Sequence, residues 1–217
     1  MKSLLSIILP LLIFCVNAEL AAQKQNQGVF LTACDFTSGK ASFVNDGTGK
    51  GYQLHLNEFI RSSSIRIIIG DTVFTFKKDS IFGYRDKNNS CFRFFKRSIY
   101  KILNPSEKIL LYSNTSESDL PRNKTLVTNY YFSKTAASPL YPLTILNLEI
   151  VFGNDVVFNK LLDIYFHFDS ELTAYDSSNK IYFLNRIYEE SRLESEQKHY
   201  KINEYESKCS IFNANSK

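Results

Sequence analysis

The chain has 217 residues, of which 44% are hydrophobic and 22% are charged, a composition typical of a globular protein with one domain, or one domain and an appendage. Eight Gly and five Pro exclude a collagen-like or low-complexity chain. The formal net charge at pH 7 is only +4, but it is distributed unevenly along the chain.

Residues 1–18 have the pattern of a signal peptide. Lys2 provides a positive charge, residues 4–16 are largely apolar, and Val16 and Ala18 supply the compact side chains that a signal peptidase recognises. The apolar stretch is shorter than the ~20 residues of a membrane-spanning helix, and no later stretch approaches that length. We therefore predict cleavage after Ala18 and a soluble protein, periplasmic or secreted, that is not transmembrane.

Cysteine usage does not define a disulfide framework. Cys15 would permit a lipid anchor, although Phe14 stands before it where a small residue is preferred. After cleavage Cys34, Cys91 and Cys209 remain, so at most one internal disulfide can form and one thiol is left over. Their spacing does not match a zinc site. One disulfide and three small buried side chains are both compatible with this pattern.

Residues 19–135 are predicted to form an antiparallel β-meander, either barrel-like or a strongly twisted sheet. Apolar and polar residues alternate over 52–57, as in a half-buried strand, and 127–133 form a later strand. Between them, runs of β-branched and aromatic residues are separated by turn-forming segments, which predicts three hairpins. The first hairpin joins strands 64–69 and 72–76 through Gly70 and Asp71. The second joins 81–86 and 91–95 through the turn 87–90, and the third joins 98–103 and 108–112 through the turn 104–107.

Residues 77–95 lie at the centre of this meander. Alternation predicts that the side chains of the first strand divide between two faces, with Ile81, Gly83 and Arg85 on one and Phe82, Tyr84 and Asp86 on the other. Gly83 lies in mid-strand, where a glycine indicates a β-bulge or the close approach of a second segment.

Residues 136–195 are predicted to form a helical cover that packs on the sheet within the same domain. Thr144 caps a first helix that runs to Phe152, with Gly153 just after its end. Asp155 caps a second helix, whose apolar face consists of Val157, Phe158, Leu161, Leu162 and Tyr165.

A third helix is predicted from about Ser177, with Ile181, Leu184, Ile187 and Tyr188 at helical spacing. Residues 196–217 are predicted to be a polar tail. The helices are short and one-sided, so they need the sheet as a packing partner. Since strands precede helices, we predict an α+β fold in which C-terminal helices pack on an antiparallel meander.

Charge is segregated along the chain. Residues 61–108 contain eleven Lys and Arg against four Asp and Glu, whereas residues 141–217 contain eight against twelve. Either the two regions neutralise each other in the folded protein, or a basic sheet face meets an anionic partner such as envelope lipid or polysaccharide.

A series of short motifs runs through the predicted mature chain: 28–32 with Asp35 and Phe36, 79–86, 108–112, 131–133, 142–144 with Asn147 and Leu148, 161–163, and 175–176. Their order resembles a group of short exported proteins of the Bacteroidetes that have no assigned activity. This resemblance implies an export route and a fold, but it implies no catalytic residue. It also implies that Thr72 and Ser80, each preceded by Asp, match the acceptor pattern for O-glycosylation of exported proteins in that phylum.

Few residues suggest nucleophilic or phosphate chemistry. No Gly-x-Ser-x-Gly motif is present, and a Cys–His pair would require Cys34 or Cys91 to meet His55 in space. The loop 45–51 contains three glycines and Lys50 but matches neither phosphate-binding fingerprint, so it is interpreted as a surface loop.

The acidic residues near His167 were considered as a metal or glycosidase site. His167, Asp169 and Glu171 form the only local cluster of metal-ligand types, but a helix C-terminus with a favourably placed His explains it more simply. Asp169, Glu171 and Asp176 lie close in sequence, whereas glycosidase chemistry needs two carboxylates that face each other across a cleft.

Basic and aromatic residues interleave over 93–97 and at Tyr84 and Arg85, as on a platform for nucleic-acid bases. Export argues against a nucleic-acid partner, and a sheet with one solvated face has the same pattern.

No catalytic, cofactor-binding or metal-binding residue is assigned from the sequence, and no cofactor is expected. The first hypothesis is a non-enzymatic interaction protein of the envelope or surface, whose partner is envelope lipid, polysaccharide or another envelope protein. The alternative is a small-ligand carrier with an apolar cavity inside a closed meander. A hydrolase with an unrecognised site is the third.

Overall fold

The structure is a computed structural model and describes residues 27–45, 51–56, 62–117 and 125–214, with 199–214 described as backbone only. The predicted signal peptide and most of the glycine-rich loop lie outside these residues. The helices are α1 (Ala33–Thr37), α2 (Ile145–Val151), α3 (Val156–Tyr165) and α4 (Phe183–Ala214), and single 3₁₀ turns span Lys78–Ser80 and Asp169–Thr173.

The described residues contain thirteen strands. Those of the main sheet are β1 (Gln27–Phe30), β2 (Phe43–Asn45), β6 (Gly83–Arg85), β7 (Cys91–Phe95), β8 (Ser98–Ile102), β9 (Leu110–Glu117), β10 (Leu126–Ser133) and β11 (Tyr141–Pro142). The others are β3 (Gln53–His55), β4 (Ser64–Ile69) and β5 (Thr72–Lys77), which form a second sheet, and the short pair β12 (Tyr175–Asp176) and β13 (Ile181–Tyr182).

The main sheet is antiparallel, with the strand order β11-β10-β9-β8-β7-β6-β1-β2. It is twisted but not closed into a barrel, because β11 and β2 are its two edges. The predicted α+β fold is thus confirmed, with an antiparallel sheet followed by helices, and the twisted form of the sheet is the one found. None of the described helices combines the length and apolar character that crossing a bilayer requires.

The three predicted hairpins are present as β4–β5, β6–β7 and β8–β9. In the first, Gly70 has φ +56° and occupies the first central position of a two-residue turn, as in type II′. In the second, the Asp86 carboxylate accepts the N–H groups of Asn88 and Ser90. Both turns use residue types that favour their conformation.

The hairpin β7–β8 has a turn that its sequence does not reveal. Lys96 and Arg97 both have positive φ, 46° and 67°, between the paired residues Phe95 and Ser98. Neither residue is Gly or Asn, so this left-handed conformation costs about 1–2 kcal/mol per residue. The Arg97 N–H donates to the Asp79 carboxylate at 3.0 Å, and this contact with the segment before β6 holds the turn.

Gly83 begins β6 and lies against the backbone of β7. A Cβ atom on Gly83 would lie 1.9 Å from the carbonyl oxygen of Phe92. The predicted close approach of a second segment is therefore confirmed, and the segment is β7.

The predicted faces of the two residues before Gly83 are wrong. Phe82 packs in the cluster that contains Cys91, whereas Ile81 packs in the opposite cluster with Tyr84. Because strand pairing of β6 begins only at Gly83, the two-residue alternation does not extend back to these positions.

Both faces of the main sheet are covered. On one face, the helices α2 to α4 cover β9 and β10, and the sheet β3–β5 covers β1, β6 and β7. On the opposite face, α1 and the segment 134–140 cover an apolar cluster that includes Phe30, Phe36 and Tyr112. The C-terminal helices pack on the sheet as predicted, because each one-sided helix buries its apolar stripe against β9 and β10.

Arg93 is buried in that opposite-face cluster without a carboxylate partner among the described residues. Its guanidinium donates to the Tyr112 hydroxyl at 3.0 Å, to the Ser133 hydroxyl at 3.4 Å and to the Ser138 carbonyl at 2.8 Å. It also lies over the rings of Phe82, Phe95 and Tyr112. These donor and ring contacts replace the hydration of the guanidinium charge.

The first two predicted helix caps are confirmed. The Thr144 hydroxyl accepts the N–H of Asn147, and the Asp155 carboxylate accepts the N–H of Phe158. Gly153 follows the C-cap residue of α2, but it does not adopt the positive φ that favours glycine there.

The predicted start of the third helix at Ser177 is wrong. The Asp176 carboxylate accepts the N–H groups of Ser178 and Asn179, and Lys180 has φ 54°, so this segment forms the β12–β13 hairpin. The helix begins at Phe183 and continues through 196–214, where a polar tail was predicted.

Asn185 of α4 completes the hydrogen bonding of Ile109, the residue before β9. Its side-chain amide accepts the Ile109 N–H at 2.8 Å and donates to the Ile109 carbonyl at 2.9 Å. Asn104 donates to the same carbonyl and accepts the Leu111 N–H. The two buried amides thus provide the partners that a neighbouring strand would supply.

Candidate functional site

A groove of about 560 Å³ lies at the outer edge of β10. It is formed because β11 pairs with β10 only at Tyr131 and Phe132, after which the chain leaves the sheet towards α2. The 3₁₀ turn Asp169–Thr173 forms the opposite wall. We call this feature the β10 groove; its lining residues are Thr128, Asn129, Tyr130, Tyr131, Pro142, Leu143, Thr144, Asp169, Ser170 and Thr173.

Hydrogen bonds fix both walls of the β10 groove. The Leu143 N–H donates to the Tyr130 carbonyl at 3.0 Å, which continues the pairing beyond β11. Asp169 Oδ1 accepts the N–H of Ile145, the first residue of α2, at 2.8 Å. The groove is therefore held in shape by the same contacts that connect the sheet edge to the helical layer.

Glu171 connects the turn Asp169–Thr173 to the residues that precede it. Its carboxylate accepts the backbone N–H groups of His167 and Phe168 at 2.7 and 3.1 Å. These hydrogen bonds hold the pKa of Glu171 below its usual value, chiefly through the His167 N–H. The carboxylate is thus engaged in positioning the backbone.

Hydroxyl and amide groups dominate the chemistry of the β10 groove. Thr128, Thr144, Ser170 and Thr173 present hydroxyl groups, and Asn129 presents an amide. Tyr130 adds a phenol group, whereas the Tyr131 ring packs on the opposite face of the sheet against Tyr100. Asp169 is the only carboxylate among the ten lining residues, and none of the ten is basic.

A second groove, of about 510 Å³, lies between the start of α3 and the side of α4. Its lining includes Lys134, Asp155 and Arg192. The Lys134 ammonium lies 5.0 Å from the centre of the Phe152 ring, and Asp155 caps α3. Lys134 and Asp155 thus each have a structural contact in the groove wall, and Arg192 is exposed to solvent.

The acidic residues that were considered as a metal or glycosidase site bind backbone groups instead. Asp169 and Glu171 hold the ends of elements as described, and Asp176 organises the β12–β13 turn and pairs with Arg186 at 3.0 Å. His167 lies just after α3, and its backbone N–H donates to the Glu171 carboxylate. Within the described ranges, no group of three or more His, Cys, Asp or Glu side chains is arranged to hold a metal ion.

The residues considered for cysteine chemistry lie on three separate elements. Cys34 is an exposed free thiol on α1, Cys91 is a buried free thiol in β7, and His55 is in β3 of the second sheet. Cys209 lies in the part of α4 whose side chains are not described. The structure therefore does not join Cys34 and Cys91 in a disulfide.

The interleaved basic and aromatic residues are largely internal. Tyr84, Arg85, Arg93 and Phe94 are all less than a tenth exposed. Lys78 is also buried, so part of the positive charge predicted for a sheet face lies inside the protein.

The β10 groove was not predicted from the sequence. Its residues come from three segments, 128–131, 142–144 and 169–173, and no motif connects them. The adjacent tyrosines Tyr130 and Tyr131, in a strand that ends near a sheet edge, were the only local signal. No protein-family model, no curated protein and no solved structure matches the chain.

Proposed function

We propose that this is an exported, non-enzymatic recognition protein of the cell envelope or surface, and that its ligand occupies the β10 groove. One observation carries the proposal: the groove is a concave site of about 560 Å³, within the size range of ligand sites, with walls fixed by backbone hydrogen bonds. Fixed walls lower the ordering cost of binding. The signal-peptide pattern of residues 1–18 supports export.

The lining of the groove favours binding over catalysis. Asp169 is the one carboxylate among the ten lining residues, and one of its oxygens already accepts a helix N–H. Glycoside hydrolysis requires two carboxyl groups, and acyl transfer requires a nucleophile beside a base. The described lining supplies neither pair.

The carrier hypothesis has less support than the recognition hypothesis. The hypothesis of a carrier with a cavity inside the meander requires the meander to close around an apolar interior. The main sheet is open at β11 and β2, and large apolar side chains fill the space on both of its faces.

The proposal is tested by binding of the full chain to separated envelope components. Labelled protein is titrated against envelope polysaccharide, against vesicles of phosphatidylethanolamine and phosphatidylglycerol, and against solubilised envelope proteins. We expect one component to bind, and Tyr130→Ala to weaken this binding at least tenfold. Tyr165→Ala is the matched control, since Tyr165 is 44% exposed and Tyr130 41% exposed, and Tyr165 lies on α3 outside the groove. Equal binding by the two variants, or no binding to any component, would refute the proposal.

A further inference from the structure

We infer that the β10 groove binds a neutral saccharide. This inference rests on the proposed function, and it identifies the ligand from the charge, the hydrogen-bonding groups and the aromatic surface of the same site.

The charge of the groove disfavours an anionic ligand. Its single charged lining residue is Asp169, and no Lys, Arg or His is among the ten lining residues that the structure describes. A phosphate, sulfate or uronate would meet this carboxylate without a compensating cation, and a like-charge contact opposes binding. Anionic lipid head groups and acidic polysaccharides therefore fit the groove poorly.

The hydrogen-bonding groups match a polyol. Hydroxyl groups donate and accept, and so do the Ser170 hydroxyl and the Asn129 amide of the lining residues. The Thr128 hydroxyl bonds to that of Thr115, and the Thr173 hydroxyl donates to the Ser170 carbonyl, so each of these two offers a ligand its remaining acceptor capacity. Asp169 Oδ1 is taken by the Ile145 N–H, and no partner for Asp169 Oδ2 is found among the described residues. A carboxylate oxygen that accepts from sugar hydroxyls forms a charge-assisted hydrogen bond, stronger than one between neutral groups.

Tyr130 supplies an aromatic surface beside these polar groups. It is 41% exposed, and it lies in β10 on the same strand face as Phe132, which packs in the helical layer. An exposed tyrosine ring offers a flat apolar face for the C–H side of a pyranose ring, while its hydroxyl remains available for a hydrogen bond.

A peptide is the competing ligand, because β11 pairs with β10 only at Tyr131 and Phe132, and the rest of the outer side of β10 could receive an added strand. The composition of the groove favours the saccharide. Interface centres that bind proteins are depleted of Ser and Asp and enriched in Tyr. Apart from the two tyrosines, six of the ten lining residues here carry a hydroxyl, amide or carboxyl group. Pro142 and Leu143 are the only purely apolar members, and Leu143 is buried.

The test uses the full chain and an array of neutral oligosaccharides built from glucose, mannose, galactose, xylose and rhamnose in α and β linkage. Oligogalacturonate and sulfated oligosaccharides are the anionic comparison, and a set of extended hexapeptides is the peptide comparison. Array hits are measured by calorimetry. We expect a neutral oligosaccharide to bind and the anionic and peptide ligands not to bind.

Two variants connect the binding to the groove. Tyr130→Ala and Asp169→Asn should each weaken saccharide binding at least tenfold; Asn keeps a neutral oxygen that can accept the Ile145 N–H, so the wall is preserved. Tyr165→Ala and Asp163→Asn, both exposed residues of α3 outside the groove, should leave it within twofold. Denaturant midpoints equal to that of the parent chain establish that each variant is folded.

The outcomes separate the inference from the proposed function. Binding of an anionic saccharide, a lipid or a peptide that is lost with Tyr130→Ala would leave the recognition function standing and overturn the neutral-saccharide assignment. Neutral saccharide binding that neither groove variant changes, or no saccharide binding at all, also overturns the assignment. Loss of all binding to every envelope component overturns both.

Discussion

Gly83→Ala is expected to destabilise the fold through one steric contact. The added Cβ would lie 1.9 Å from the Phe92 carbonyl oxygen, 2.9 Å from the Phe92 carbonyl carbon and 3.0 Å from the Arg93 Cα. An ordinary van der Waals contact begins near 3.4 Å, so β6 and β7 must separate locally by ~1.5 Å. All three contacts are backbone atoms, which cannot rotate away. Overpacking of this kind costs about 1–3 kcal/mol, and weakened pairing between β6 and β7 adds about 1 kcal/mol.

The assay is the free energy of unfolding from urea or guanidinium titration, followed by circular dichroism. Gly153→Ala is the control, since its added Cβ would meet nothing closer than 3.3 Å and the residue does not have positive φ. We expect a loss of about 2–4 kcal/mol for Gly83→Ala and a change within about 1 kcal/mol for Gly153→Ala. A loss below about 0.5 kcal/mol for Gly83→Ala would show that the strands do not pack in this way.

Substitutions at three further residues test polar contacts in the core and at its border. Asn185→Ala should cost about 3 kcal/mol in unfolding free energy, because it leaves the buried Ile109 N–H without a partner and removes packed atoms; a loss under about 1 kcal/mol in denaturant titration would contradict the contact. Arg93→Lys should lower the free energy of unfolding by about 3 kcal/mol, because lysine keeps the buried charge but cannot reach all three acceptors. Arg93→Met should lower it clearly less, because it removes the charge. A lower denaturant midpoint for Arg93→Met than for Arg93→Lys would refute this reasoning. Burial raises the pKa of the Glu107 carboxyl above its ordinary value of 4.5, so the folded state favours the protonated form. The protonated carboxyl therefore contributes stability below pH 4.5, and this contribution is lost as the pH rises through the folded-state pKa. The stability of the parent chain relative to Glu107→Gln should therefore fall as the pH rises above 4.5, and a difference that is independent of pH would contradict the raised pKa.

Hairpins and helix caps were predictable where local chemistry determines the conformation. Gly70 occupies the positive-φ position that its turn requires, and the Thr144 and Asp155 side chains accept the helix N–H groups expected of caps. These features depend on a few neighbouring residues, so the local sequence is sufficient to predict them.

The turn at Lys96 and Arg97 was not predictable for the opposite reason. Its conformation opposes the local preference of both residues, and the Asp79 contact that holds it comes from 18 residues earlier. Similarly, the apolar spacing after Ser177 resembles a helix, but the Asp176 side chain binds the next N–H groups and turns the chain.

The candidate site was the least predictable part. The β10 groove exists because Asp169 binds the first N–H of α2 and places the turn Asp169–Thr173 beside β10. Threonine, serine and asparagine are common on any exposed strand or turn, so these residue types signal a site only when packing brings three segments together. The acidic residues near His167, whose types alone would permit a metal or glycosidase site, hold backbone groups instead.

The contact between Asn185 and Ile109 has a consequence for when the chain can fold. The hydrogen bonds of Ile109 are completed by a residue 76 positions later in the sequence. Without α4, the Ile109 N–H lacks the side-chain acceptor that allows it to be buried, and the apolar cluster of the helical layer lacks Leu184 and Ile187. The helical layer is therefore complete only when α4 is present, so the part of the chain that precedes α4 cannot form this part of the core by itself.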